Sequence, residues 1–261
     1  MRLQIFYRTG RGRVRAHNED SLAIDDDIPR LEMSASVQRV LDTDRPRVVL
    51  VADGMGGENS GEIASRLVGE RLAMRLKEIT LGQSSIVDML RKTNRDVFDE
   101  MTVRPELGGM GSTVAGMVIA NGDGWTFNVG DSRTYRLQDR YLEQLSHDDS
   151  ADSVSYGHAD NHAKTGRITQ CLGGARQFIE IDPHVRRVRL ATGSQFLLCS
   201  DGLSDVVSLD DMELACADAN GVQVVDALFE AAMTAGGPDN ISIVLIRVEK
   251  KDGPTIPGTS A

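Results

Sequence analysis

The chain of 261 residues is 40% hydrophobic and 26% charged, an ordinary globular composition that can bury a sizeable core. Its formal charge of -10 argues against the net basic face that nucleic acids and anionic membranes require, and favours cations as ligands. No run approaches the roughly 20 apolar residues that cross a bilayer, no signal-peptide pattern opens the chain, and Cys171, Cys199 and Cys216 lack the spacing of a disulfide framework or zinc site.

In chain order, apolar runs predict strands over 3–9, 21–24, 47–52, 112–120, 125–129, 134–137, 184–190, 195–200 and 241–248. Asn121-Gly122-Asp123-Gly124 is the clearest hairpin signal. Apolar residues spaced by three and four predict a helix over 60–79, with Ala64, Val68, Leu72, Leu76 and Ile79 on its stripe. A second helix starts at Ser84 with Ile86, Leu90, Val97 and Met101 on one face, and a further pair lies between 208 and 235. Met74, Met89 and Met101 read as core filling, and the three cysteines as small buried hydrophobes. Runs such as 48–52 and 196–199 are apolar at every position, which requires cover on both faces. Together these features predict an α+β fold, a four-layer α/β/β/α sandwich of two antiparallel sheets flanked by helices. Residues 1–249 read as a single domain, and 250–261, rich in Gly, Pro, Ser and Thr, as a flexible tail. A cytoplasmic monomer is expected.

Four strand-like runs end in an aspartate followed by a small or polar residue: Asp53-Gly54, Asp131-Ser132, Asp201-Gly202 and Asp239-Asn240. One such pair is a common turn signal. Four together suggest convergence, because carboxylates are the hard oxygen ligands that Mn²⁺ or Mg²⁺ prefer and would repel one another without a cation. The segment 12–21 adds Glu19, Asp20 and Arg15, whose guanidinium fork matches two phosphate oxygens. A dication cluster beside such a fork predicts a phosphate pocket.

Arg15-x-x-Asn18-Glu19-Asp20, Asp53-Gly54-Met55-Gly56-Gly57, Gly111-Ser112-Thr113, Gly130-Asp131-Ser132-Arg133, Ser200-Asp201-Gly202-Leu203 and Asp239-Asn240-Ile241-Ser242 resemble, in order, the motif set of the protein phosphatase 2C family, metal-dependent serine/threonine phosphatases, in its bacterial form. The resemblance implies hydrolysis of phosphoserine and phosphothreonine in proteins, the products of a Ser/Thr kinase, with two Mn²⁺ or Mg²⁺ ions and a third, weaker one. It implies that Asp53 bridges two cations and that Gly54 lends its carbonyl to one of them. Glu19, Asp201 and Asp239 then hold the other, Asp20 orients the water, Arg15 clamps the substrate phosphate, and Asp131 joins Asp201 at the third ion.

Two departures stand out. Met55 replaces the histidine of animal members, leaving a metal-bound water, His17 or His147 as donor to the leaving group. Asp149 takes the place of a usual histidine at the head of a shortened flap over about 147–170. A catalytically silent phosphoprotein-binding regulator with the same fold is the alternative reading, which the intact acidic set and Arg15 disfavour. A two-metal nuclease is disfavoured by the acidic surface.

Overall fold

The computed structural model describes residues 1–251 apart from 30, 58, 59, 78, 79, 121, 152–166 and 219. Over the first half of the chain it forms β1 (Arg2–Gly10), β2 (Asp20–Ile24), β3 (Val37–Asp42), β4 (Arg47–Met55), α1 (Ser60–Leu76) and α2 (Gln83–Val103). There follow β5 (Gly111–Ser112), β6 (Val114–Ala120), β7 (Asp123–Val129), β8 (Arg133–Gln138) and β9 (Tyr141–Gln144). The remainder supplies β10 (Leu172–Gly173), β11 (His184–Arg189), β12 (Gln195–Cys199), α3 (Asp201–Ser204), α4 (Leu209–Cys216), α5 (Gly221–Thr234) and β13 (Ile241–Glu249).

One sheet runs β3-β1-β13-β12-β8-β9 and the other β10-β5-β4-β6-β7-β11, with β2 beside β4. All of these pairings are antiparallel. Side chains alternate across each strand, and here both faces are covered. In β4, Val48, Leu50 and Ala52 pack with α1 and α2, while Val49 and Val51 face the opposite sheet. In β13, Ile241, Ile243 and Leu245 pack with α5, while Val244, Ile246 and Val248 meet the β4 side chains between the sheets. Three apolar layers separate four layers of structure, as predicted, and that is why the central strands are apolar at every position.

The β6–β7 hairpin sets Ala120 opposite Asp123, with Gly122 at φ 88°, as its turn residues predict. Strands β3 and β9 are not predicted. Both are edge strands with one buried side chain each, Leu41 and Leu142, so neither carries a readable period. The run 112–120 divides at Thr113, where β5 pairs with the end of β4 and β6 with its middle. Ile79 lies outside the described residues, as do most of the flap and all but two residues of the tail. Met74 is 44% exposed and fills no core, and Cys171 is only partly buried, unlike Cys199 and Cys216. Among the described residues no helix is long and apolar enough to cross a membrane.

The topology gathers the acids at one end. The end of β12 lies beside the start of β13, with Cys199 opposite Ile243, so Asp201 and Asp239 leave the first sheet together. In the second sheet the start of β2 lies beside the end of β4, with Asp20 opposite Asp53.

Candidate active site

Asp53 does not follow its strand, as the sequence pattern suggests, but sits inside β4 directly across from Asp20. Like charges in directly opposed positions are destabilising, so this register needs a compensating partner. Asp20 is completely buried, and its Oδ2 accepts a hydrogen bond from Ser200 Oγ at 2.8 Å. Ser242 supports it too, and the Ser242 hydroxyl lies 2.7 Å from that of Thr9, which accepts from Asn18 Nδ2 at 2.9 Å. This buried chain of hydroxyls ties the acid to β1, β12 and β13.

Asp201 opens α3, and its carboxyl group lies against that of Asp53. Asp239 precedes β13, accepting from Arg15 Nη2 at 2.6 Å and from the Asn240 N–H at 2.8 Å. Asn240 clamps the loop that carries Arg15: its Oδ1 accepts from the Glu19 N–H, and its Nδ2 donates to the carbonyls of Arg11 and His17. The Glu19 carboxylate rests over Gly61, at the start of α1. Gly54 donates its N–H to the Glu19 carbonyl. A Cβ on Gly54 would strike the Gly61 carbonyl, and one on Gly202 the Asn240 carbonyl. The glycine after each of these aspartates therefore admits neighbouring backbone. Asp131 lies in the β7–β8 turn, its charge facing Asp201.

The electrostatics follow from this crowding. Burial, then the charges of Asp201 and Asp239 against the help of Ser242 and Ser200, raise Asp20 to about 7. Asp53 is pushed well above the usual carboxylate range by burial and by Asp20, Asp201 and Asp239. Burial followed by Asp201 raises Asp131 to about 7, and burial followed by Asp239 and Asp205 raises Asp201 to about 6. Glu19 is also raised, chiefly by burial, although Arg15 opposes the shift. Desolvation works against the Arg15 charge, but Asp239, Asp53 and Asp201 hold it more firmly protonated than usual.

Three carboxylate oxygens in this group, Asp20 Oδ1, Asp131 Oδ1 and Asp201 Oδ1, are buried with no hydrogen-bond partner. Buried acceptors of this kind need a proton or a cation. The donor set is oxygen only, which fits hard divalent ions. Among the described residues no three His, Cys, Asp or Glu side chains form a ready-made cage.

Residues 33–241 match the family described as protein phosphatase 2C. The chain belongs to this family. Its members are metal-dependent serine/threonine phosphatases, and the chain is an enzyme of that class. It is 33% identical over 254 residues to the serine/threonine phosphatase stp of Listeria monocytogenes, covering 92% of this chain and 94% of the relative. The crystal structure of the Mycobacterium tuberculosis serine/threonine phosphatase PstP/Ppp superposes with a TM-score of 0.80 at 30% identity, over 96% of this chain and 100% of the other. The PstP catalytic domain in complex with two manganese ions superposes with a TM-score of 0.75 over the same shares, also at 30% identity.

Against that family, the structure gives Asp149 a specific task. Its Oδ2 accepts from the Gly130 N–H and from Gln170 Nε2, both at 2.9 Å, and its Oδ1 meets His184 Nε2 at 2.9 Å. Asp149 thus pins the turn that carries Asp131. His147 is tied through its backbone to Asn128, and its ring packs edge-on against His184 at 4.8 Å, while His17 is exposed beside Glu19. Ser200, Ser242, Thr9 and Asn240 form the support that sequence reasoning missed. Three of them stand inside the recognised motifs, but no periodicity marks a buried hydroxyl as a partner of a distant acid.

Proposed function

We propose that the enzyme hydrolyses phosphoserine and phosphothreonine in protein substrates, opposing a Ser/Thr kinase, as a cytoplasmic monomer whose residues 1–249 act as one domain. The observation that carries this reading is the meeting of Asp20, Asp53, Asp201 and Asp239 with Arg15 beside them. In this reading Asp53 would help to hold two Mn²⁺ or Mg²⁺ ions and the Gly54 carbonyl would serve one of them. Glu19, Asp201 and Asp239 would serve the other, and Asp131 with Asp201 would support a third. Bound at this place, such ions would lower the pKa of a water and neutralise charge that develops at phosphorus.

The protein's own groups do the rest. Asp20, fixed by Ser200 and Ser242, orients the attacking water. Arg15 reaches over the acids as far as Asp239, so its fork meets two oxygens of a phosphoryl group laid on them. It is half exposed, which lets it exchange Asp239 for substrate. No cysteine competes as nucleophile: burial raises the thiols of Cys171, Cys199 and Cys216 to about 11, 12 and 12.

The test is turnover of an aryl phosphate and of a phosphothreonine peptide with Mn²⁺ and after chelation, for the natural chain and for Asp201→Asn. Activity that needs the ion and disappears in the variant is expected. Turnover that survives chelation refutes the reading.

A further inference from the structure

A second cleft, of about 1000 Å³, opens at the end of the sandwich opposite the acids. Strand β13 leaves the acid end at Ile241 and reaches this cleft at Val248 and Glu249, about 25 Å away at roughly 3.4 Å per residue. Arg136 and Arg140 from the β8–β9 hairpin, Arg247 and Lys250 from the end of β13, and Arg189 from the end of β11 line it, so both sheets contribute. Asp139, Asp218 and Glu249 line it as well. Five cations against three carboxylates leave two positive charges in excess, in a chain whose formal charge is -10.

These cations differ in how they are held. Arg247 is braced, with Nε donating to Gln195 Oε1 at 2.8 Å, Nη2 donating to the Asp218 carbonyl at 3.0 Å, and its guanidinium 5.7 Å from the Phe6 ring centre. Arg136 reaches Glu143 only at 3.9 Å. Arg140, Arg189 and Lys250 make no ion pair or side-chain hydrogen bond among the described residues. Most arginines of this protein are paired with acids, so three free cations around one cleft are a departure from its own habit. Gln138 pairs with Tyr141, so Asp139 and Arg140, at φ 51° and 75°, form the two-residue type I′ turn of the hairpin, which holds Arg140 at the rim of the cleft. Among the described residues no aromatic ring lines the cleft to stack on a base.

We propose that this cleft binds a small polyvalent phosphate anion of the pyrophosphate or tripolyphosphate class, at a site separate from the catalytic acids. Arginine forks match pairs of phosphate oxygens, and several charges on the ligand are needed to outweigh the three carboxylates. The excess of positive charge favours a free polyphosphate, and an open cleft of about 1000 Å³ admits a small molecule.

The probe is tripolyphosphate, titrated calorimetrically at low ionic strength into protein stripped of divalent ions and desalted, so that no cation at the acids recruits phosphate. The natural chain and Arg15→Ala are expected to bind one equivalent alike. Arg140→Glu/Arg189→Glu should bind at least tenfold more weakly while keeping its melting temperature and its Mn²⁺-dependent aryl-phosphate turnover. Lys250→Glu, at an exposed strand end, serves as an independent second variant with the same expected direction. The proposal is overturned by absence of saturable binding, by equal binding in both charge-reversed variants, or by loss of binding in Arg15→Ala. It is also overturned if a doubly phosphorylated peptide binds the cleft more tightly than tripolyphosphate does. Because the assay needs no turnover, failure of the phosphatase reading would leave this result standing.

Discussion

The middle of the sandwich and its acid end are built from the same strands and obey opposite rules. Along β12, Phe196, Leu197, Leu198 and Cys199 are all fully buried and apolar, yet two residues later Asp201 enters a crowd of carboxylates. Along β4, Val48 to Ala52 fill two core layers, and Asp53 follows at once. The lesson is a division of labour. The middle supplies stability, by burying apolar area at about 25 cal/mol per Å², and so holds together an end whose charges, left to themselves, push apart.

The two regions part most visibly at Asp53. Asp53→Asn should lower Mn²⁺-dependent turnover by about three orders of magnitude or more, roughly 4 kcal/mol at 1.36 kcal/mol per tenfold. It should also raise the melting temperature of the cation-free protein, because a repelling charge is gone. A melting temperature that falls instead would contradict the idea of a strained acid end. In the middle, Leu198→Ala should cost about 2–5 kcal/mol in urea unfolding, as for other buried leucines, while the folded fraction keeps its Mn²⁺ dependence.

Arg15 lies at the boundary between the two regimes. Losing a hydrogen bond to a charged group costs about 1.5–3 kcal/mol, so Arg15→Ala should raise KM for a phosphopeptide at least tenfold. Its Mn²⁺ affinity should not weaken, since a competing cation has been removed from Asp239.

Acidity sharpens the contrast next. Asp20 and Asp131 titrate near 7 and Asp201 near 6 in the folded chain, above the ordinary carboxylate value of about 3.9. Between about pH 4 and about pH 7 the folded chain therefore holds more protons than the unfolded one. Stability of the cation-free protein should fall as pH rises through that window and level off above it, as calorimetry across pH would show. Cations must displace the same protons, so Mn²⁺ affinity should rise over the same range. The smallest effect belongs to the exposed surface, where breaking the Arg66–Glu70 pair at 2.8 Å should cost no more than about 0.5 kcal/mol.

How much of this was legible in the sequence depends on what each residue answers to. The central strands and both long helices follow from period alone, because burial on two faces, or on one stripe, writes itself into neighbouring residues. Edge strands β3 and β9 were not legible, since exposed positions tolerate any polar side chain. The acids were legible as types and as members of a motif set. Their supports were not: Ser242 serves Asp20 across more than 200 positions, and nothing local marks it. Asp149 read as a departure from family pattern, and only its three partners make it a pin for the Asp131 turn.

By itself the sequence determined the elements and the chemistry available to them, because steric preference and side-chain period act over a few residues. The tertiary structure alone decided that Asp20 faces Asp53, that Asp201 and Asp239 emerge together, and that Arg15 lies against them. Those placements depend on pairing β2 with β4, β12 with β13 and β1 with β13, the last across nearly the whole chain, and local sequence carries no record of contacts closed over such distances.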